Sequence, residues 1–362
     1  MQILFFIPNL NKTGGVERAT ISLLNELAKY QGLKIAVLSI EEFDEKRAFF
    51  LSPEVTVISL GIKDYKKQYF NIFKRIKTVI NEFSADIFIT VETASLLFSL
   101  LPVISFKRRK VKHIVWEHFN IKNNNGRRFR DFLRYIAAKT ADVVVTLTQK
   151  DKNNWIKKYS PNAEIVYIYN TNPFSIMHKD YEKHEKVAIS VGRYVDVKGF
   201  DRLIAAWSLF EQKYAINDWN LIIVGHGPQE EVLQNLINKS NSSSIYLSNG
   251  EGNVREFYEK ASFYCMSSYS EGLGMVLIEA QFFGLPCIAF DVYAGPSEII
   301  SQNSGFLVKD GDLDEYANSI HKLISSLELR LEMSINAQKE SKRFDAPVIG
   351  EKWKETFNRL FK

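Results

Sequence analysis

Short apolar runs alternate with longer segments whose apolar residues recur every three or four positions, and the alternation runs along the whole 362-residue chain. Gln2 to Ile7 reads as a buried strand. Val16 to Tyr30 follows as a helix, with Ile21, Leu24, Leu27 and Ala28 on its apolar stripe. Lys34 to Ile40 and Val55 to Ser59 are further strands, and Tyr65 to Phe83 is a helix rich in lysine and aromatic residues. Asp86 to Val91, Val111 to Trp116, Asp142 to Thr148 and Glu164 to Ile168 are β-rich runs. Short apolar strands bounded by helical segments predict a parallel sheet covered on both faces.

The pattern then restarts. Strands are expected at Ala188 to Val191, Trp219 to Val224, Ile245 to Leu247, Phe263 to Met266 and Pro286 to Phe290. Helices are expected at Gly199 to Tyr214, Gln229 to Lys239, Asn253 to Ala261, Met275 to Phe283 and Asp314 to Ser326. The region around Pro173 is polar and aperiodic. The expected organisation is α/β: a doubly wound domain over 1–170, a linker over 171–186 and a second doubly wound domain over 187–345. Residues 346–362 are read as a helix returning to the first domain. A cleft is expected between the domains, because ligands bind such sheets outside the carboxyl ends of their strands.

Composition narrows this little. Hydrophobic residues at 46% and charged residues at 25% are globular values, which exclude a largely disordered chain. Cys265 and Cys287 are too few for a disulfide framework and lack zinc-ligand spacing, and they read as reduced core residues of a cytoplasmic protein. The apolar run Ile3 to Pro8 has no basic segment before it and is not read as a signal peptide. Ala94 to Phe106 is the longest apolar stretch, is interrupted by Pro102, and is shorter than the roughly 20 residues a spanning helix needs.

Charge changes the picture more. Residues 1–170 carry 27 Lys and Arg against 16 Asp and Glu, a net +11, whereas residues 171–362 carry 20 against 26, a net −6. A basic first half suits an anionic partner: nucleic acid, a phosphorylated substrate or a membrane surface.

Several constellations could carry chemistry. Gly14 and Gly15, in Gly14-Gly15-Val16-Glu17-Arg18, sit between the first strand and first helix. They form either a plain turn or a place where backbone N–H groups approach an anion. Gly192 and Arg193 end a strand of the second domain, and Lys198-Gly199 opens the next helix. Two cations on one loop at the carboxyl edge suit a diphosphate, Arg as a planar fork and Lys as a point charge. Gly225-His226-Gly227-Pro228 is half of a dinucleotide fingerprint, but Glu230 stands where the last glycine belongs. Glu271 precedes Gly272, Leu273, Gly274 and Met275 and lies in a loop. Glu279 lies inside an apolar helix, where a carboxylate needs a hydrogen-bonding partner: ribose hydroxyls or a basic side chain. His118 ends a buried strand and is either a structural hydrogen-bonder or a group that reaches a ligand. Asp310, Asp312 and Asp314 alternate like metal ligands but lack the rest of a calcium loop, so they read as caps of the following helix.

Taken in order along the chain, these landmarks resemble a family 4 retaining glycosyltransferase with two Rossmann-like domains, the GT-B architecture. They are the Gly14-Gly15 turn, His118, Gly192-Arg193 with Lys198-Gly199, Gly225-His226-Gly227, the Glu271/Glu279 pair and Gly295-Pro296-Ser297-Glu298. The resemblance implies that Arg193 and Lys198 hold a nucleotide diphosphate and Glu279 the ribose. It implies that Glu271 contacts donor-sugar hydroxyls, with Gly272, Leu273, Gly274 and Met275 offering N–H groups. Gly15 would approach the donor phosphate from the first domain, and His118 would lie near the sugar's 6-hydroxyl. No cofactor and no metal are expected.

The implied activity is transfer of a hexose or N-acetylhexosamine, from a UDP-linked donor, to a glycan acceptor carried on a polyprenyl diphosphate. That places the enzyme in surface-polysaccharide assembly at the inner face of the plasma membrane. Tyr65 to Lys77 interleaves bases with aromatics, Lys107 to Lys110 and Arg127 to Arg130 add two more basic clusters, and the three read as a membrane-surface patch. No nucleic-acid module is recognisable. The competing readings are a sugar-nucleotide epimerase on the same architecture and a non-enzymatic binder of anionic lipid.

Overall fold

The computed structural model describes every residue except 13, 45, 47, 48, 66, 106–110, 124–128, 175–184, 251, 252 and 362. Lys66, the cluster Lys107 to Lys110, Arg127, Arg128 and most of the expected linker therefore lie outside the described residues. The chain forms two compact units, Met1–Pro173 with Phe344–Lys362, and Phe174–Arg343.

The first unit is built on strands β1 (Gln2–Ile7), β2 (Lys34–Ser39), β3 (Thr56–Ser59), β4 (Ile87–Val91), β5 (Lys112–Trp116), β6 (Val143–Thr146) and β7 (Glu164–Tyr167). They pair in parallel as a seven-stranded sheet in the order β3-β2-β1-β4-β5-β6-β7. Helices α1 (Gly15–Leu27), α2 (Tyr69–Glu82), α3 (Leu96–Ile104), α4 (Phe129–Thr140) and α5 (Gln149–Tyr159) link the strands. Ile3 to Phe6 and Ile87 to Ile89 are fully buried because helices cover both faces. Phe6 stacks on Phe88 with ring centroids 6.1 Å apart. The last helix, α13 (Ala346–Arg359), packs on α1 and sets Trp353 edge-on against Trp116, with centroids 5.1 Å apart.

The second unit carries β8 (Val187–Val191), β9 (Asn220–Val224), β10 (Ile245–Ser248), β11 (Phe263–Met266), β12 (Cys287–Asp291) and β13 (Gly305–Lys309). These form a six-stranded parallel sheet in the order β10-β9-β8-β11-β12-β13. Its helices are α6 (Phe200–Tyr214), α7 (Glu230–Ser240), α8 (Val254–Lys260), α9 (Met275–Phe282), α10 (Pro296–Ile299), α11 (Leu313–Ser325) and α12 (Leu327–Ser341). Trp207, Phe210, Phe290 and Tyr316 form the buried centre. Asp312 caps α11 by accepting the Glu315 N–H at 3.0 Å, and Asp310 pairs instead with Arg202 at 2.6 Å. Cys265 and Cys287 are buried free thiols.

Several elements were not in the pattern reading, among them helices α4, α5, α10 and α12. The apolar stretch at Ala94 becomes α3, a short helix with Pro102 inside it. Its composition is too uniformly apolar for periodicity to assign. Strand β13 was not expected, because it lies at the sheet edge with a broken burial pattern.

Candidate donor site and its frame

Each sheet has a point where strand order reverses, and there the loops after two non-consecutive strands part and leave a crevice. In the second unit that point lies between β8 and β11. Their ladder holds only Ala188 to Phe263 and Ile189 to Tyr264, while β8 continues beside β9 as far as Val191 and Val224. Beyond Ile189 the Tyr264 hydroxyl replaces the missing strand. It accepts the Val191 N–H at 3.1 Å and donates to the Val191 carbonyl at 3.2 Å. Burial holds this phenol well above its ordinary pKa, so it stays a neutral donor.

The loop after β8 carries Gly192, Arg193 and Lys198, and the loop after β11 carries Glu271. Lys198 Nζ lies 2.7 Å from Glu271 Oε1, both side chains being mostly buried. Arg193 is exposed, and its carbonyl accepts the Val195 N–H at 2.9 Å. The two loops are clipped together from below. Gly199 has φ +62°, and a Cβ there would stand 2.2 Å from the Ser267 carbonyl oxygen, so only glycine fits. Ser267 Oγ donates to the Lys198 carbonyl at 3.1 Å. Arg202, stacked 4.1 Å from both Tyr269 and Phe290, donates to the carbonyls of Ser267 and Ser268.

Gly274, at φ +90°, precedes α9 without a side-chain cap, and no acidic residue stands in the first turn. The amide groups at Met275 and Val276 therefore offer a helix N-terminus to an anion. One turn further on, Glu279 is 2% exposed and accepts the Tyr258 hydroxyl at 3.0 Å. That tyrosine, fully buried and stacked on Phe283, supplies a partner that the pattern of acids and bases did not point to.

Gly225 and Gly227 have a packing reason for being glycine. A Cβ at 225 would stand 1.9 Å from the Gly192 carbonyl oxygen, and one at 227 would stand 2.6 Å from the Tyr194 carbonyl oxygen. The loops after β8 and β9 meet backbone to backbone there, with the Tyr194 N–H donating to His226 at 2.9 Å. The buried Tyr194 hydroxyl ties both down, donating to the carbonyls of Ile223 at 2.8 Å and Ser248 at 3.0 Å. Gly295 likewise presses against Leu273, where a Cβ would come within 2.3 Å of the carbonyl oxygen. Leu273 is buried, whereas Gly272 and Met275 are half-buried.

In the first unit the strand order reverses between β1 and β4. Gly14 precedes α1 in extended backbone without a side-chain cap, and a Cβ on Gly15 would meet nothing within 4 Å. At the end of β4, Glu92 holds φ +66° and pairs with Arg130 at 2.6 Å. At the end of β5, buried Glu117 pairs with buried Arg134 at 2.8 Å. Burial alone would raise the Glu117 carboxyl, but Arg134 and Thr93 hold it below the ordinary range. Arg134 also donates to the carbonyls of Ile121, Asn120 and Asn123, fixing the loop that follows His118. His118 is buried beside Trp116, with ring centroids 4.3 Å apart, and its Nε2 has no hydrogen-bonding partner among the described residues. Burial pushes its pKa down to about 4 despite the nearby Glu117 carboxylate, so the ring is neutral near pH 7. Acid–base alternation would not have pointed to Arg202, Tyr194, Tyr258, Tyr264 or Arg134, since each acts through a partner distant in sequence.

Two doubly wound parallel-sheet units in one chain define the GT-B class of architecture. Residues 13–171 match the family described as Glycosyltransferase Family 4, and residues 175–340 match Glycosyl transferases group 1. An uncharacterised glycosyltransferase of Haemophilus influenzae is 35% identical over 97% of this chain and 98% of its own. A Campylobacter jejuni α-1,4-N-acetyl-D-galactosaminyltransferase, named for a glycan on PP-undecaprenol, is 27% identical over 98% of this chain and 97% of its own. Anabaena HepE, solved in complex with UDP, shares the fold at a TM-score of 0.77 and 18% identity, covering 99% of this chain and all of its own. The chain belongs to the family 4 glycosyltransferases, and it is a glycosyltransferase.

Proposed function

We propose that this enzyme moves a hexose or N-acetylhexosamine from a UDP-linked donor to a glycan on a polyprenyl diphosphate, with retention of anomeric configuration and without a metal ion. In this reading it works in surface-polysaccharide assembly at the inner face of the plasma membrane. The observation that carries the donor half is the grouping of Lys198, Glu271, Arg193, buried Glu279 and the uncapped N-terminus of α9 at the switch point of one sheet. The acceptor half draws on the PP-undecaprenol-linked glycan named for the Campylobacter relative, and the base on the UDP bound by HepE.

Breaking the bond between the anomeric carbon and the phosphate oxygen leaves negative charge on the diphosphate. In this reading Arg193, Lys198 and the α9 N-terminus meet that charge, in a setting where fixed donors are worth more than water. Glu271 already holds Lys198, so its carboxylate can orient both the cation and a sugar hydroxyl. Glu279, kept in place by Tyr258, suits the two hydroxyls of a ribose. In front-face transfer the acceptor oxygen bonds to the anomeric carbon as the phosphate leaves, and the acceptor's proton passes to the departing phosphate oxygen. His118, neutral and buried, fits hydrogen bonding to a sugar hydroxyl rather than proton transfer.

The test is a panel of nucleotide sugars against purified protein, read by thermal shift and by release of free nucleotide. One UDP-sugar should stabilise the fold and be consumed, with both responses lost in Glu279→Ala and Arg193→Ala. Undiminished turnover in EDTA would support metal independence. Folded protein that responds to no nucleotide or nucleotide sugar would overturn the reading.

A further inference from the structure

Two buried arginines one turn apart on α4 each take a carboxylate from the end of a strand, and only one of the two pairs is closed off from solvent. Strands β4 and β5 run in register, with Val91 beside Trp116, and Glu92 and Glu117 are the next residues of each. The Glu117 side chain is fully buried. It accepts Arg134 Nε at 2.8 Å, the Phe119 N–H at 3.0 Å and the Thr93 hydroxyl, which makes it a structural anchor. Arg127 to Arg130 reads from the sequence as part of a surface patch, but Arg130 is only 2% exposed. It donates through Nη2 to Glu92 Oε1 at 2.6 Å and lies 4.1 Å from the centre of the Phe119 ring. Its Nε and Nη1 have no hydrogen-bonding partner among the described residues. Glu92, unlike Glu117, keeps 24% of its side chain exposed.

Glu92 also holds a backbone that a residue with a side chain rarely adopts, at φ +66° and ψ 130°. Such a conformation is costly and persists only where its surroundings impose it, most often beside a bound ligand. Here the Glu92 N–H donates to the Trp116 carbonyl at 2.7 Å, and the Glu92 carbonyl accepts the Ser95 N–H at 2.9 Å. Strand β4 is one of the two strands at which the order of the first sheet reverses, and Gly14 with the start of α1 follows the other, β1. Ligands bind beyond the carboxyl ends of the strands at such a point. A strained backbone, a buried guanidinium and residual exposure therefore coincide on one carboxylate at the switch point of the first sheet.

We propose that Glu92 binds a hydroxyl of a neutral acceptor sugar, with Arg130 as a positioning residue that acts through it. An ionised carboxylate accepts hydrogen bonds and donates none, so the group it takes is a sugar O–H and not an anion. Fixed by a buried guanidinium, that carboxylate forms a charge-assisted bond to the hydroxyl without first having to be ordered. The inference rests on the transferase reading and deepens it by naming a residue for the acceptor.

Saturation-transfer NMR on the full chain, with UDP present, reads binding of the p-nitrophenyl glycosides of glucose, galactose, N-acetylglucosamine and N-acetylgalactosamine. At least one should bind. Glu92→Gln keeps size and shape and should weaken that binding about tenfold or more. Its melting temperature and its affinity for UDP should stay those of wild type, which a merely structural ion pair would not predict. Arg130→Met should weaken glycoside binding by a similar factor, and Arg130→Lys should recover part of it. If Arg130→Met fails to fold, Glu92→Gln decides alone. Wild type that binds none of the four glycosides, or Glu92→Gln that binds them as tightly as wild type, would overturn the inference. So would a Glu92→Gln protein that loses melting temperature and UDP affinity together with glycoside binding. Glycoside binding lost in Glu92→Gln, with no UDP response in any variant, would leave this sugar contact standing and remove the UDP-donor reading. A UDP response with no glycoside binding would do the reverse.

Discussion

Lys198 and Glu271 lie 73 positions apart in the chain, yet their side chains meet at 2.7 Å. Each is by itself an unremarkable charge on a loop. Together they set a paired cation at the switch point of the second sheet. Removing either partner should therefore damage the same step. Lys198→Ala and Glu271→Gln should each lower kcat/KM about a hundredfold or more. The double variant should be little worse than either single one, because the pair acts as a unit. Nucleotide release under limiting donor checks this, and fully additive losses would show that the two act independently.

Glu279 and Tyr258 separate binding from stability. Glu279→Gln keeps an acceptor for the Tyr258 hydroxyl, so the fold should hold while nucleotide affinity falls about tenfold or more. Tyr258→Phe removes a donor from a buried carboxylate and should cost about 1–3 kcal/mol of stability. Urea unfolding of both variants, beside nucleotide titration, would show the opposite ordering if Glu279 were only a core residue.

Glycine substitutions sort packing from function. Gly225→Ala drives a Cβ into the Gly192 carbonyl and should destabilise the second unit by about 2 kcal/mol or more. Gly15→Ala meets open space and should change stability by less than about 0.5 kcal/mol. A drop in turnover for Gly15→Ala at unchanged melting temperature would mark that backbone as a ligand approach. Unchanged turnover would leave it a plain turn.

His118 predicts a pH dependence. Its folded pKa, near 4, lies below the ordinary 6.5, so folding favours the neutral ring. The resulting stability is present above pH 6.5 and is lost as pH falls toward 4, by up to about 3 kcal/mol. His118→Asn should flatten that part of the stability profile. Turnover above about pH 6.5 should carry no ionisation from this residue, and a kinetic pKa near neutrality that disappears in His118→Asn would contradict its buried state.

Much of this molecule was legible in its sequence. The run from Ile3 to Phe6 is apolar on both faces because a doubly wound sheet buries both, so alternation of strands and helices announced two parallel sheets before any contact was known. The order of Gly14-Gly15, His118, Arg193, Lys198 and Glu271 placed these groups at strand ends and helix starts for the same local reason, with Glu279 inside the helix that follows. What tertiary structure decided is who meets whom. β8 lies beside β11, far along the chain, so Lys198 finds Glu271 and the Tyr264 hydroxyl closes the gap above Ile189. Gly225 is glycine because another loop's carbonyl stands against it, a contact that no local pattern encodes. The stretch at Ala94 shows the same limit from the other side. Its composition said only that it was apolar and too short to span a bilayer. Which of its residues would be buried and which exposed depended on the helices packed on either side, and that packing left Leu97, Leu101 and Ile104 facing outward.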